Sequence, residues 1–370
     1  MAETVVISSK EINILLNILV SKTEHISIYS PLLGVELLNF NFYNLKEFEI
    51  VNKSEFTSIT NELKNRIWKT EKKLRGYLFE EIPNYIHLRD ALQASGVLPF
   101  KRIKELLLEI EEILSNYPSV REPKLPILAL DTNAFYMRLP TNYLSKLKTK
   151  PTLVISNGVY QEISNNSNRS LDNRRLLSKL KSLFSYTTGI EEIFFLGVES
   201  FKARRALLAL SELIKTEKEF KCFITEARDY GDEAILNSYK KFEQEQRSRV
   251  IFITLDEKAR ALAMSPHIAL ENRYIEQVSV EEIRSSTNLT YESLPRLLYT
   301  LATYFMLIRV SCGTDQVLIE GVWNSKSRED WIAENIKIKA QKAIIRKIVN
   351  RIEKSRKIAK VLEKTRSIRP

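Results

Sequence analysis

Histidine, cysteine and glycine are scarce in this chain, and each scarcity removes a class of chemistry. The three histidines, His25, His87 and His267, are far apart and form no zinc-ligand spacing. Two cysteines, Cys222 and Cys312, make no disulfide framework and no CxxC. Apolar neighbours mark both as buried, reduced thiols. No GxSxG is present to support a Ser-His-Asp nucleophile. Only 9 glycines and 11 prolines in 370 residues argue against a low-complexity or disordered chain. The longest apolar run, Leu297 to Ile308, falls well short of the about 20 residues of a membrane span. The opening MAETVVISSKE is polar and acidic, unlike a secretory leader. A soluble, cytoplasmic protein with no membrane span is the expectation.

What is present points to two or three domains. A chain of 370 residues exceeds one ordinary core, and a hydrophobic fraction of 44% fills several. Phe56, Ile59, Leu63, Ile67, Leu74 and Leu78 recur at helical spacing, as do Ile103, Leu106, Leu107, Ile110, Ile113 and Leu114. They predict a mostly helical N-terminal domain over 1–120, for packing or partner docking, with a short strand or two between Ile26 and Phe42. The proline-rich NYPSVREPKLP reads as a linker. The pattern then alternates: ILAL, TLVIS, KCFIT, VIFIT and NRYIEQV read as strands separated by helices. That predicts an α/β domain over 127–280, a parallel sheet flanked by helices. Over 285–370 a helical region is expected, with Leu294 to Val310 in its core and QVLIEGVW as an isolated strand. From Glu329, isoleucines at helical intervals predict a basic amphipathic helix of about 35 residues.

Four carboxylates follow strands or open helices in the α/β region: Asp131 after ILAL, Glu162 after TLVIS, Asp232 in YGDEAI, and Asp256 after VIFIT. Acids at strand ends converge on one edge of an open α/β sheet. Unpaired carboxylates that converge repel one another and are tolerated when a divalent cation balances them. Magnesium takes oxygen ligands and keeps several waters. Two such ions activate water and stabilise a leaving oxygen without any histidine, serine or cysteine nucleophile. The set therefore points to magnesium- or manganese-dependent hydrolysis of phosphodiester bonds. Each acid taken alone also reads as a helix cap or surface residue. Thr132 and Asn133 follow Asp131, where they can bond the carboxylate or a water beside it. Asp229 competes with Asp232 for the third position, and Glu233 is a further candidate.

LDTNAF, GVYQEI, GDEAI and ITLDEKA, in that order, resemble the PIN-domain nucleases over about residues 127–280. The resemblance implies a compact parallel-sheet domain. It also implies metal-dependent cleavage of single-stranded RNA that leaves a 5′-phosphate and a 3′-hydroxyl. The matching metal and catalytic positions are Asp131, Glu162, Asp232 and Asp256, with Thr132, Asn133 and Thr254 in support. The long regions on either side separate this chain from a minimal toxin nuclease. They fit RNA processing or quality control, or a subunit of a larger particle. A non-catalytic RNA-binding or assembly protein on the same fold, and a structure-specific DNA nuclease, are the rival readings.

The net charge of +11 is unevenly spread. From Lys326 onward there are fifteen Lys/Arg against five Asp/Glu. Such a tail suggests a polyanion: RNA, DNA or an acidic membrane surface. Lys342, Arg346, Lys347, Arg351, Arg356 and Lys357 are its candidate phosphate contacts, sequence-independent because no aromatic follows Trp331. Arg174, Arg175, Arg204 and Arg205, between the second and third acids, are further candidates. A protein partner on the N-terminal domain or on the tail's isoleucine stripe is the other expectation.

Overall fold

The computed structural model describes residues 2–20, 23–68, 79–119, 123–167, 200–323 and 326–366. The chain divides into two compact units. One takes the residues up to Leu88 and those from Leu289 onward. The other takes Arg89 to Leu171 and Glu199 to Asn288.

The first unit is built on a seven-stranded sheet. Its strands are β1 (Ala2–Ile7), β2 (His25–Ser30), β3 (Val35–Asn41) and β4 (Phe48–Ile50) from the start of the chain. From the end come β10 (Leu307–Cys312), β11 (Asp315–Glu320) and β12 (Ile336–Gln341). The order is β1-β12-β11-β10-β2-β3-β4, with every neighbour antiparallel. In β2 and β12 buried side chains alternate with more exposed ones, the pattern of a sheet covered on one face. Helices Ser293–Tyr304 and Lys342–Arg366 pack on it, and helix Ile12–Leu19 packs against both of those helices.

This unit corrects the expectation of two separate, mostly helical end regions. The helices are present, but β1 pairs with β12, so the two ends of the chain share one sheet. QVLIEGVW is not isolated, because β11 lies between β10 and β12. The basic tail is not one helix: Ile336 and Ile338 belong to a strand, and the helix runs 25 residues, Lys342–Arg366. Its length is about 38 Å. Its Ile344, Ile345, Ile348 and Ile352 are buried within the described protein, so the stripe has cover at home.

The second unit holds the five-stranded sheet β5 (Pro126–Leu130), β6 (Thr152–Ser156), β7 (Lys221–Thr225), β8 (Arg249–Thr254) and β9 (Glu271–Tyr274). The order is β7-β6-β5-β8-β9 and every pair is parallel. All five residues of β5 are buried, as a central strand covered on both faces demands. Residues 89–119 belong here and not to a domain of their own. The Lys101 amide donates to the Glu276 carbonyl at 3.0 Å, and Asn142 Nδ2 donates to the Ala94 carbonyl at 2.9 Å. Arg273 pairs with Glu109 on helix Ile103–Ser115. No described helix is long and apolar enough to cross a membrane.

Candidate active site

The strand order dictates where a site forms. The chain leaves β5 towards β6 and β7, then returns on the other side of β5 as β8 and β9. At such a reversal the loops part and open a crevice at the carboxyl ends of the two strands. Asp131 follows β5 and Asp256 follows β8, so both acids stand at this crevice.

Local capping chemistry fixes their directions. Asp131 caps helix Thr132–Tyr136, with the Ala134 amide donating to its Oδ1 at 2.8 Å. Its Oδ2 accepts a short hydrogen bond from Thr254 Oγ1. Thr254 Oγ1 in turn accepts from the Asp256 amide at 2.9 Å. One hydroxyl thus ties the two strand ends together. Asp256 caps helix Glu257–Ala263 by accepting from the Lys258 amide at 2.7 Å. Glu162 sits on helix Asn157–Ser167 and accepts from Thr132 Oγ1 at 2.7 Å, which links it to the residue beside Asp131.

Asp232 enters through a glycine. Gly231 has φ +96°, a backbone that L side chains rarely adopt, and it starts helix Asp232–Gln246. A second glycine sets the helix spacing: a Cβ on Gly158 would stand 2.9 Å from Ile235 Cγ1. The helix bearing Glu162 and the helix bearing Asp232 approach there because Gly158 has no side chain. Asn157 Oδ1 also accepts from the Ala227 amide at 2.7 Å, tying the start of the first helix to the loop before the second. The neighbouring Asp229 accepts from the Tyr230 amide and, like Asp232, is exposed.

The electrostatics describe a strained set. Burial raises Asp131 to about 6. Hydrogen bonds from Thr254, Ala134 and Leu255 oppose that rise, and the charge of Asp256 adds to it. Asp232 is also raised, first by partial burial and then by Asp256, with Lys258 pulling the other way. Asp131 and Asp232 therefore each feel the charge of Asp256. Among the described residues none of the four acids is in an ion pair with lysine or arginine.

Among the described residues no three His, Cys, Asp or Glu side chains stand close enough together to hold one ion. The expectation of four direct ligands to a common centre is corrected to that extent: Glu162 is reached through Thr132, and Asp232 lies at the rim. The donor set still fits a hard, hydrated cation, which takes one or two carboxylates and keeps its waters. A buried carboxylate raised by desolvation, beside another acid, is the environment such an ion relieves.

A cavity of about 320 Å³ opens beside the acids, lined by Asn133, Tyr136, Glu162, Asn166, Lys202 and Arg205. Of the cations expected between the second and third acids, Arg205 lines this cavity. Arg204 is fully buried, one position round the same helix, and is withdrawn as a nucleic-acid contact. Arg174 and Arg175 lie outside the described residues. Tyr136, Asn166 and Lys202 were not among the candidate residues. Helical spacing carries a signal for them: Asn166 is four residues after Glu162, Tyr136 three after Asn133, and Lys202 three before Arg205. On the other unit, Lys342 pairs with Glu3 and Arg356 with Glu11, while Arg346, Lys347, Arg351 and Lys357 are exposed.

Two comparisons with known proteins complete the picture. No curated protein matches the chain. The family model of the PIN domain matches residues 128–273, a span that begins in β5 and ends in β9. The parallel sheet, its helices and the crevice with Asp131 and Asp256 all lie within that match, and this part of the chain is a PIN domain, the fold of a family of usually metal-dependent nucleases.

Proposed function

We propose that the protein is an endoribonuclease that hydrolyses single-stranded RNA with magnesium or manganese, acting in RNA processing or quality control in the cytoplasm. One observation carries the reading. Two carboxylates stand at adjacent strand ends, joined through Thr254, in a PIN domain whose four candidate acids, Asp131, Glu162, Asp232 and Asp256, form no ion pair with lysine or arginine among the described residues.

Asp131 and Asp256 would hold the ion, with Asp232 and Glu162 at its edge. Such an ion supplies charge balance and polarises a phosphoryl oxygen. The chain's own groups do the positioning. Thr254 and the Ala134 amide hold the two oxygens of Asp131. Thr132 donates to Glu162 and ties it to the residue after Asp131. In the reaction a water oxygen bonds to phosphorus and the bond from phosphorus to the 3′ oxygen breaks. That leaves the 5′-phosphate and 3′-hydroxyl. Arg205 and Lys202 draw the phosphate backbone to the crevice, and the exposed cations of helix Lys342–Arg366 offer a second, sequence-independent hold.

The test is cleavage of end-labelled single-stranded RNA in magnesium or manganese, with branched DNA and duplex RNA alongside. Asp131→Asn should lower the rate by at least about 100-fold, the scale of losing one preorganised charged group, while RNA affinity stays within about twofold. Equal rates for variant and wild type refute the assignment of Asp131. Faster cutting of branched DNA than of RNA would mark a structure-specific DNA nuclease instead. Absence of cutting, with RNA binding intact, would mark a non-catalytic RNA-binding or assembly protein.

A further inference from the structure

The geometry points to a subsite for one unpaired nucleotide of the substrate strand, in the cavity beside the acids. The inference rests on the nuclease reading above and goes on to say what that site accepts.

The cavity is about 320 Å³. That lies at the lower end of the ~300–1,000 Å³ typical of small-molecule sites, room for about one nucleotide. Of the four acids Glu162 alone lines the cavity, and Thr132 Oγ1 links it to the residue that follows Asp131. The remaining lining supplies the three kinds of contact a nucleotide needs. Lys202 and Arg205 are cations for a phosphate. Tyr136, half-buried, brings aromatic surface to the cavity wall for a base. Asn133 and Asn166 offer amide donors and acceptors to a base edge or sugar hydroxyl.

Lys202 stands in the first turn of helix Phe201–Glu219, which carries no acid there. Positive charge at a helix N-terminus works against the macrodipole, and a bound anion reverses that sign. Arg205 is also held in place. Its guanidinium carbon lies 5.4 Å from the centroid of Tyr136 and 5.7 Å from that of Phe201. One guanidinium nitrogen is 3.7 Å from Asp90, a buried carboxylate that Arg89 approaches at 2.8 Å. The Asn166 amide nitrogen is 3.3 Å from the Tyr136 hydroxyl, which limits how that carboxamide turns. Groups held in place before binding lose little entropy when a ligand arrives. A base reaches Tyr136 only if it is turned out of a stack, which duplex strands resist.

The experiment is fluorescence anisotropy of a labelled oligouridylate with chelator present, so that binding is read without cutting. Lys202→Ala, at an exposed side chain, should weaken binding about 3- to 10-fold. It should also reduce the slope of log K against log salt by about 0.7, the contribution of one phosphate on a single strand. Tyr136→Leu should weaken binding about fivefold or more with the salt slope unchanged, since base stacking on a ring carries no counterion term. Neither change should alter binding of blunt duplex RNA. The inference is overturned if wild type does not bind the oligonucleotide. It is overturned equally if both variants bind it as wild type does, or if duplex competes as well as single strand. The two readings separate cleanly. Wild type that cuts RNA while the variants bind unchanged removes the subsite alone. The expected losses of binding without any cutting by wild type remove the nuclease reading and leave a single-strand site.

Discussion

Asp131→Asn should make the metal-free protein more stable at neutral pH, and the size of the gain follows from the site. In the unfolded chain the carboxyl titrates near 3.8; in the fold it is raised to about 6 because burial disfavours the charge. Between those values the folded state keeps a proton that the unfolded state has lost. Stability is therefore full below 3.8, falls as pH rises, and reaches a constant deficit above about 6. The difference between 3.8 and about 6 corresponds to about 3 kcal/mol at neutral pH. Asparagine removes the charge and keeps an acceptor for the Ala134 amide. Its Nδ2 then faces Thr254 Oγ1, whose proton must turn to the Asp256 carbonyl at 3.3 Å. That longer bond takes back part of the gain, which leaves a net of about 2 kcal/mol. For a unit of this size the melting temperature should rise by about 4–8 °C at pH 8. At pH 4 the two proteins should melt nearly together. The assay is thermal unfolding of both from pH 4 to 8 in chelator, read as the difference between them, so that other titrating groups cancel. A difference that does not change with pH refutes the desolvation account. Adding magnesium should then stabilise wild type and not the variant, by about 2.7 kcal/mol at a hundredfold excess over the dissociation constant, and raise the melting temperature of wild type alone.

Further outcomes follow from the same geometry. Thr254→Ala removes the hydroxyl that opposes the rise of Asp131, so magnesium affinity should fall and its pH midpoint move higher, as titration calorimetry would show. Unchanged affinity and midpoint would count against Thr254 as the positioning group. Gly158→Ala places a Cβ 2.9 Å from Ile235 Cγ1 and should lower kcat more than stability, because it pushes the helix of Glu162 from that of Asp232. Steady-state kinetics beside urea unfolding would separate the two effects. Glu212 lies fully inside the PIN-containing unit, where it accepts from the Thr141 amide and hydroxyl, both at 2.8 Å, and from Arg138 at 3.3 Å. Glu212→Ala leaves Arg138 buried without this partner and should cost about 3–5 kcal/mol in a denaturant titration. A loss under 1 kcal/mol would show that the site hydrates or rearranges.

The sequence by itself determined the parallel sheet and the position of its acids. A buried parallel strand must be a continuous apolar run, and each such run ends where the chain turns, so ILAL before Asp131 and VIFIT before Asp256 were legible without coordinates. Three matters were decided only by tertiary structure. The ends of the chain share a sheet, and β1 finds β12 through backbone hydrogen bonds that carry no local signature. IKIKAQ alternates inside and out as a strand, yet its isoleucines also fall at helical intervals with those of Lys342–Arg366, so periodicity favoured one long helix. Arg204 and Arg205 are adjacent in the chain, but neighbours on a helix point about 100° apart, so one is sealed in the core and the other faces the cavity. The raised titration of Asp131 likewise belongs to no residue alone: it exists because folding takes that carboxyl out of water and sets Asp256 nearby.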